Sequence, residues 1–334
     1  MESSRRPRTM SIGGATYDLF VRTDKQLVHE CKEVRSLALP LGEKVQVKEV
    51  IETCGGGASN TAVGLARLGC SAGFCGVIGS DQWGEKLLEN LKSEGVDVEC
   101  ATVVENEVSS FSIILSSGGG ERVILYTPGT NTHLHDANFG KETASAVDWV
   151  VLNHIQEGSC VIQDDLIDIL AAEGNPRFTW NPGGCQIDAG ITEPNNRKLL
   201  AHTDLLLLNK EEAMRFLQAD SPEQAIRTAV EIGTKNICVT DGKNGTIASD
   251  GKQLFSCSIL NTETVDTTGA GDAFDTGMTW ALLTGKDLPT ALKAGTINAA
   301  SVVGAIGAQA GLLTDSEIHR KLQSVDLDVA ARPL

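Results

Sequence analysis

Val265-Asp266-Thr267-Thr268-Gly269-Ala270-Gly271-Asp272-Ala273-Phe274 decides the fold. A β-branched residue and two threonines read as the end of a strand. Gly-Ala-Gly reads as a turn, and Phe274, Met278, Ala281 and Leu282 then recur at helical spacing until Gly285 stops the run. A glycine turn that feeds a helix N-terminus is an anion site. Small residues let backbone N–H groups approach a phosphate, and the helix dipole adds roughly half a positive charge there. Asp272 stands at the same mouth, where a carboxylate would repel a phosphate. General base catalysis gives it a reason to be there, as the group that takes a proton from a hydroxyl attacking the phosphate. A plain helix cap and turn would also fit this segment taken alone.

Upstream, Cys54-Gly55-Gly56-Gly57-Ala58-Ser59-Asn60-Thr61-Ala62-Val63 forms a second glycine turn into a helix. Its spacing is wrong for Gly-x-Gly-x-x-Gly, and Cys54 ends no clear buried strand. Asn60 can bond a ligand or cap the helix. Near the start, Met10 and Ile12 mark a first strand, Gly13-Gly14 breaks it, and Asp18 is expected just past its C-terminal end. Open α/β sheets bind ligands at that end, where a carboxylate can accept from two neighbouring hydroxyls.

Residues 44–48 alternate polar and apolar, as do 111–115 and 122–126, which a glycine-rich turn joins. These pieces predict a small sheet apart from the main core, serving as a lid or as a surface that pairs with a second copy. Apolar runs at 72–77, 149–152, 178–180, 205–208 and 237–240 predict strands of a parallel sheet buried on both faces. Helical patterns at 84–95, 164–172, 211–217, 222–232 and 288–303 alternate with them. Polar groups follow three of these strands, at 181–184, at 209–212 and at 240–245. Asn209 and Glu212 can flank a Mg²⁺–phosphate group through water, or cap the helix that they open. His133, His135 and Asp136 have no third ligand nearby and read as loop residues.

The net charge is −16, with 44 acidic against 28 basic side chains. So acidic a chain argues against nucleic acid or an anionic membrane as partner. A phosphate-bearing ligand would need local help from backbone N–H groups, a few basic side chains or Mg²⁺. Nine cysteines without a Cys-x-x-Cys suggest reduced thiols in a cytoplasmic protein. No apolar run nears the roughly 20 residues of a membrane span, no signal-type apolar stretch follows the basic start, and no P-loop is present.

Together the ordered motifs resemble the ribokinase-like sugar kinases, the phosphofructokinase B group. Residues 55–69 look like the first signature of that family and 266–274 like its second. Residues 79–84, Asn209-x-x-Glu212 and Thr240-Asp241-Gly242 fall in order between them, so the likeness covers about residues 9–320. It implies a mostly parallel central sheet with helices on both faces and a small β-sheet lid. The core would take residues 9–20, 55–106 and 128–324, the lid 21–54 and 107–127, and flexible tails 1–8 and 325–334. It further implies ATP-dependent phosphorylation of a hydroxyl on a sugar, with a nucleoside kinase or a non-catalytic ligand-binding relative as alternatives. By resemblance Asp272 is the base, and Gly269, Ala270 and Gly271 form the anion hole. Asp18, Gly56, Gly57 and Asn60 would hold the substrate, and Asn209, Thr240, Gly242, Gly245 and Asn298 would lie near ATP. Glu212 would serve Mg²⁺ through water, while Asp266 and Thr268 would face a monovalent cation, K⁺. The family often carries Lys where this chain has Gly57, and a small residue where it has Thr276. An aromatic lid residue that stacks a base would favour the nucleoside reading, with Phe20, Phe111 and Tyr126 as candidates.

Overall fold

The computed structural model describes residues 5–23, 28–31, 34–116, 122–136, 141–155 and 162–334. In chain order the strands are β1 Arg8–Ile12, β2 Thr16–Arg22, β3 Val28–Cys31, β4 Val34–Leu37, β5 Glu49–Gly55, β6 Ser71–Gly79, β7 Ala101–Val104 and β8 Phe111–Ser116. They continue as β9 Arg122–Thr127, β10 Trp149–Leu152, β11 Arg177–Trp180, β12 Leu205–Asn209, β13 Ile237–Thr240, β14 Thr246–Ser249, β15 Gln253–Cys257 and β16 Val329–Pro333. The helices are α1 Gly57–Arg67, α2 Gln82–Ser93, α3 Lys141–Ser145, α4 Ile162–Ala171, α5 Gly184–Ala189 and α6 Pro194–His202. After them come α7 Lys210–Phe216, α8 Pro222–Ile232, α9 Ala270–Leu283, α10 Leu288–Val302 and α11 Asp315–Ser324.

The main sheet runs β16-β15-β14-β13-β12-β11-β10-β1-β6-β7. Its strands are parallel from β7 to β13, and β14, β15 and β16 add an antiparallel edge. The apolar runs explain why it is covered on both faces. Leu206 and Leu208 of β12 pack into one core with Phe178, Phe216 and Ile226. Leu205 and Leu207, pointing the other way, join Trp149, Met278 and Leu292 in a second. Successive side chains of a strand leave on opposite faces, so a strand apolar at every position must be buried twice.

The lid is a four-stranded sheet in the order β5-β2-β8-β9. Asp18 pairs with Thr53 and Ser112, Phe20 with Ile51 and Ile114, and Ser112 with Tyr126. Directly paired residues share a face, so Asp18, Phe20, Thr53, Ser112 and Tyr126 look the same way. The other face, with Tyr17 and Phe111, packs on α2 through Trp83, whose ring stacks on Tyr17 at 4.9 Å.

Several expectations change. Asp18 lies within β2 and belongs to the lid, not to the end of the first core strand. Residues 44–47 are irregular, and the strand forms after them at Glu49–Gly55, which puts Cys54 inside a strand. The alternation that predicted a strand at 44–48 belongs to a mostly exposed stretch whose last residue, Lys48, donates its N–H to the Arg22 carbonyl of β2 at 2.8 Å. Residues 265–268 are not a strand either; Val265 and Asp266 instead hydrogen-bond to the Val303 carbonyl. The expected flexible tail at 325–334 holds β16, which pairs with β15 along Gln253–Cys257. The turn expected to join 111–115 to 122–126 lies outside the described residues beyond Ser116. No described helix is long and apolar enough to cross a membrane.

Candidate active site

Helix α9 starts at Ala270 behind Gly269, whose backbone is left-handed at φ 75°. A Cβ there would overlap Ala308, so both conformation and space require glycine. No side chain caps this helix. Its first N–H groups have no partner within a helix, and at Gly271 the surface is exposed, with nothing within 4 Å of where a Cβ would stand. The turn from Gly269 to Gly271, expected to form an anion hole, thus brings an uncapped helix N-terminus to the surface, with the Ala270 N–H donating to the Thr267 carbonyl at 3.3 Å.

Asp272 sits in the first turn of α9, partly buried. Asn60 Nδ2 donates to its Oδ2 at 2.7 Å, which brings the two glycine turns together across 212 residues of chain. Burial pushes the Asp272 carboxyl above its usual pKa, while the Asn60 hydrogen bond and the nearby His154 pull it down. Gly57 opens α1 beside it; a Cβ at 57 would lie 3.5 Å from Asp272 Oδ1 and 3.2 Å from the Asn153 Cβ. Gly56, at φ 91°, brings its backbone against Ala15 and Gly14 and leaves no room for a side chain. Gly64 makes room for Thr276, whose hydroxyl donates back to the Asp272 carbonyl at 2.7 Å.

The lid supplies a second carboxylate. Asp18 is buried, and the Ser112 hydroxyl donates to its Oδ1. Burial raises its pKa to about 6; Ser112 opposes the shift and Asp266 adds to it. A Cβ at Gly55 would overlap the Asp18 carboxylate, so that residue keeps space open beside it. Asp266 Oδ1 accepts from the Thr268 N–H at 3.1 Å and from its hydroxyl at 2.8 Å, and Oδ2 accepts from Gly307 N–H at 3.1 Å. Arg122 of β9 crosses from the lid, with Nη2 donating to Thr267 Oγ1 at 2.9 Å and Nη1 3.5 Å from Asp266 Oδ1. Asp266 and Thr268, expected to face K⁺, thus bond to one another, with the Arg122 guanidinium beside them.

Asn209 and Glu212 form the capping box that the sequence left open. Asn209 Oδ1 accepts from Glu212 N–H and Glu212 Oε2 from Asn209 N–H, each at 2.9 Å. The cap engages Glu212 Oε2. Thr240 closes β13, with Gly242 and Gly245 in the turn behind it. Asn298, expected near the nucleotide, is fully buried instead. It donates to the Ala273 carbonyl at 2.7 Å and accepts from Leu313 N–H at 3.1 Å, fastening α10 to α9. His133 pairs with Glu107 at 3.1 Å, and no cluster of three or more potential metal ligands occurs among the described residues.

Reading the sequence missed four groups that the structure adds. Ser112 and Arg122 come from the lid, and Gln309 reaches Asn60 from the loop after α10. The fourth is Asp275, one turn beyond Asp272 and buried, which accepts from Asn181 at the end of β11. Burial drives its pKa well up, Asp272 adds to this, Asn181 opposes it, and Glu212 adds a further rise. The polar run at 181–184 was the one available signal for that pair.

Comparison with known proteins agrees with this arrangement. A family model described as pfkB family carbohydrate kinase matches residues 8–315. The ribokinase of Bacillus subtilis is 29% identical over 314 residues, covering 93% of this chain and 98% of that protein. Among solved structures, Arabidopsis thaliana ribokinase complexed with ribose and ATP superposes with a TM-score of 0.77 at 23% identity, covering 96% of this chain and 100% of that one. A Burkholderia thailandensis nucleoside kinase in complex with inosine gives 0.76 at 17% identity, covering 95% of this chain and 98% of that one. With both glycine turns, the uncapped helix and the covering lid in place over the matched length, the chain belongs to the pfkB family of carbohydrate kinases.

Proposed function

We propose that this phosphotransferase moves the γ-phosphate of ATP to a hydroxyl of a sugar or sugar derivative, with Asp272 as the general base. The observation that carries the reading is Asp272 itself, in the first turn of an uncapped helix and held on one oxygen by Asn60. Its other oxygen, Oδ1, is the one toward Gly57. A hydroxyl presented there would lose its proton to Oδ1 and attack the phosphorus in line. The N–H groups from Gly269 to Gly271 would take the charge that develops on the transferred group. Asp18 would accept from substrate hydroxyls on the lid side, with Gly56 and Asn60 closing the floor. Thr240, Gly242, Gly245 and Asn209 would border the nucleotide, and Glu212 would hold a Mg²⁺-bound water. Bound Mg²⁺ would offset charge on the phosphates.

A nucleoside acceptor is the second reading, and a specific observation supports it. Phe20 and Tyr126 share the Asp18 face of the lid, Tyr126 with 48% of its surface exposed. Phe111 faces α2 and is not available to stack a base. The lid edge would also suit a second copy of the chain, because Val123, Ile124 and Leu125 of β9 are exposed. Sedimentation at several concentrations tests that pairing.

The test of function is ADP release from Mg²⁺·ATP across sugars, sugar phosphates and nucleosides, with Asp272→Asn beside it. One acceptor should stimulate release, and the variant should lower its rate at least ~10²–10⁴-fold. Turnover that survives Asp272→Asn would remove the base assignment. ATP binding without release for any acceptor would favour a non-catalytic ligand-binding protein.

A further inference from the structure

Three side-chain amides run head to tail into Asp272. Asn90 of α2 donates through Nδ2 to Gln309 Oε1 at 2.9 Å. Gln309 donates through Nε2 to Asn60 Oδ1 at 3.1 Å and to Ser59 Oγ at 3.1 Å. Asn60 then donates to Asp272 Oδ2. An amide has one accepting and one donating end, and this chain of bonds fixes which way each is turned. The carboxylate at its end only accepts when ionised, so Asn60 must present nitrogen to it. A donor at Gln309 is what holds the Asn60 oxygen away.

Gln309 is built to stay where it is. It is 7% exposed, and Asn60 is 3% exposed. Arg67 Nη1 donates to the Gln309 carbonyl at 2.7 Å and to that of Leu312 at 3.2 Å. The same guanidinium is gripped by Glu94 through Nε at 2.8 Å and Nη2 at 2.7 Å. At the other end Asn90 lines a groove of about 400 Å³ with Tyr17, Glu52 and Lys86, behind the lid. The chain of amides therefore joins that groove to the reacting carboxylate.

We propose that Gln309 is a positioning residue for the phosphoryl transfer: through Asn60 it holds Asp272 with Oδ2 engaged and Oδ1 turned to the acceptor hydroxyl. This rests on Asp272 being the base. Without the Gln309 donor, the Asn60 amide can turn over and set its oxygen against the carboxylate, which then favours its proton. Of the charged groups around Asp272, His154 faces it from the segment after β10 and Asp275 from its own helix; Glu212 lies beyond Asp275. None of them touches Gln309, so a substitution there acts through Asn60.

The experiment compares wild type, Gln309→Met and Asp272→Asn. Met keeps the length of Gln and removes its donor. Protein labelled with ¹³C at the aspartate carboxyls is titrated without ligand, and the signal lost in Asp272→Asn identifies the base. In Gln309→Met the midpoint of that signal should rise. With D-ribose as acceptor, or whichever panel compound gives turnover, kcat should fall about tenfold, as for one lost hydrogen bond to a charged group, with KM for ATP within about twofold. An unmoved midpoint overturns the proposal, whether or not kcat falls, because packing loss alone would leave it in place. If Gln309→Met does not fold, Gln309→Glu, equal in shape, must raise the midpoint and lower kcat for the proposal to stand. Turnover that survives Asp272→Asn sinks the base assignment instead, and the midpoint still decides whether Gln309 orients Asn60.

Discussion

Arg122, on the outermost lid strand, donates to Thr267 Oγ1 at 2.9 Å and so ties the lid to the turn that leads into α9. The two residues are separated by 145 positions, and the bond crosses from the lid sheet to the core, with Nη1 3.5 Å from Asp266 Oδ1. A hydrogen bond from a guanidinium across that junction holds the cover down. Arg122→Ala should lower kcat/KM about tenfold, in the range for a charged hydrogen bond, and leave the unfolding midpoint almost unchanged. Steady-state ADP release at low and high salt checks it, since wild type but not the variant should lose efficiency as salt screens the partly exposed pair.

Asp18 gives the lid a pH dependence whose sign can be worked out. Its folded pKa is about 6, above the ordinary 3.8, so the folded protein binds this proton more tightly than the unfolded chain does. Stability from this group is therefore highest below pH 4, declines between about 4 and 6, and is lowest above 6. Asp18→Asn removes the cost of burying the charge. It should raise the thermal midpoint at pH 7.5, by up to about 3 kcal/mol in stability, with the gain gone at pH 4. Affinity for the acceptor should fall in the same variant, because a neutral amide accepts hydroxyl protons less well. Melting curves across pH, with and without acceptor, test both halves.

Gly269→Ala meets two obstacles at once, a left-handed backbone and the overlap with Ala308. Each costs at least about 1 kcal/mol, so the denaturant midpoint should drop clearly. ATP binding measured on the folded fraction should weaken as well, since the N–H groups of α9 would be displaced. Unchanged ATP affinity would show that the turn at 269–271 does not contact the phosphates.

Arg67 is expected to matter more for stability than for chemistry. Its four hydrogen bonds pin the loop after α10 to α1 and α2. Arg67→Met keeps much of the packing but leaves two carbonyls and Glu94 without their donor, at a cost of about 2–4 kcal/mol. Chemical denaturation measures it, and amide exchange in residues 303–312 should quicken.

The parts of this molecule that sequence made legible are those whose signal is local. The run at 205–208 announces a strand buried twice, and Gly-Ala-Gly-Asp announces a helix mouth with a carboxylate in it. Asn209 and Glu212 carried their capping box in a spacing of three. What stayed hidden depends on distant partners. Asp18 looked like the end of a core strand because nothing nearby shows that Thr53 and Ser112 flank it. Arg122, Gln309 and Asp275 look like ordinary polar residues until the fold places Thr267, Asn60 and Asn181 against them. The strand at 329–333 was read as a tail because Val-Ala-Ala-Arg-Pro is short and its mostly exposed residues suit an edge as well as a loose end.

The order of strands in the main sheet also bears on how the chain comes to be folded. β13, β14 and β15 are neighbours in sequence and in space, so that end can form from contacts only a few residues apart. β1 must wait, because it pairs on one side with β6 and on the other with β10, whose Trp149 stands opposite Thr9. Pairings over such separations are slow to close. On a ribosome the first strand would leave the exit tunnel long before its second neighbour was made. A pulse of hydrogen exchange during refolding should find the amides of β14 and β15 protected before those of β1.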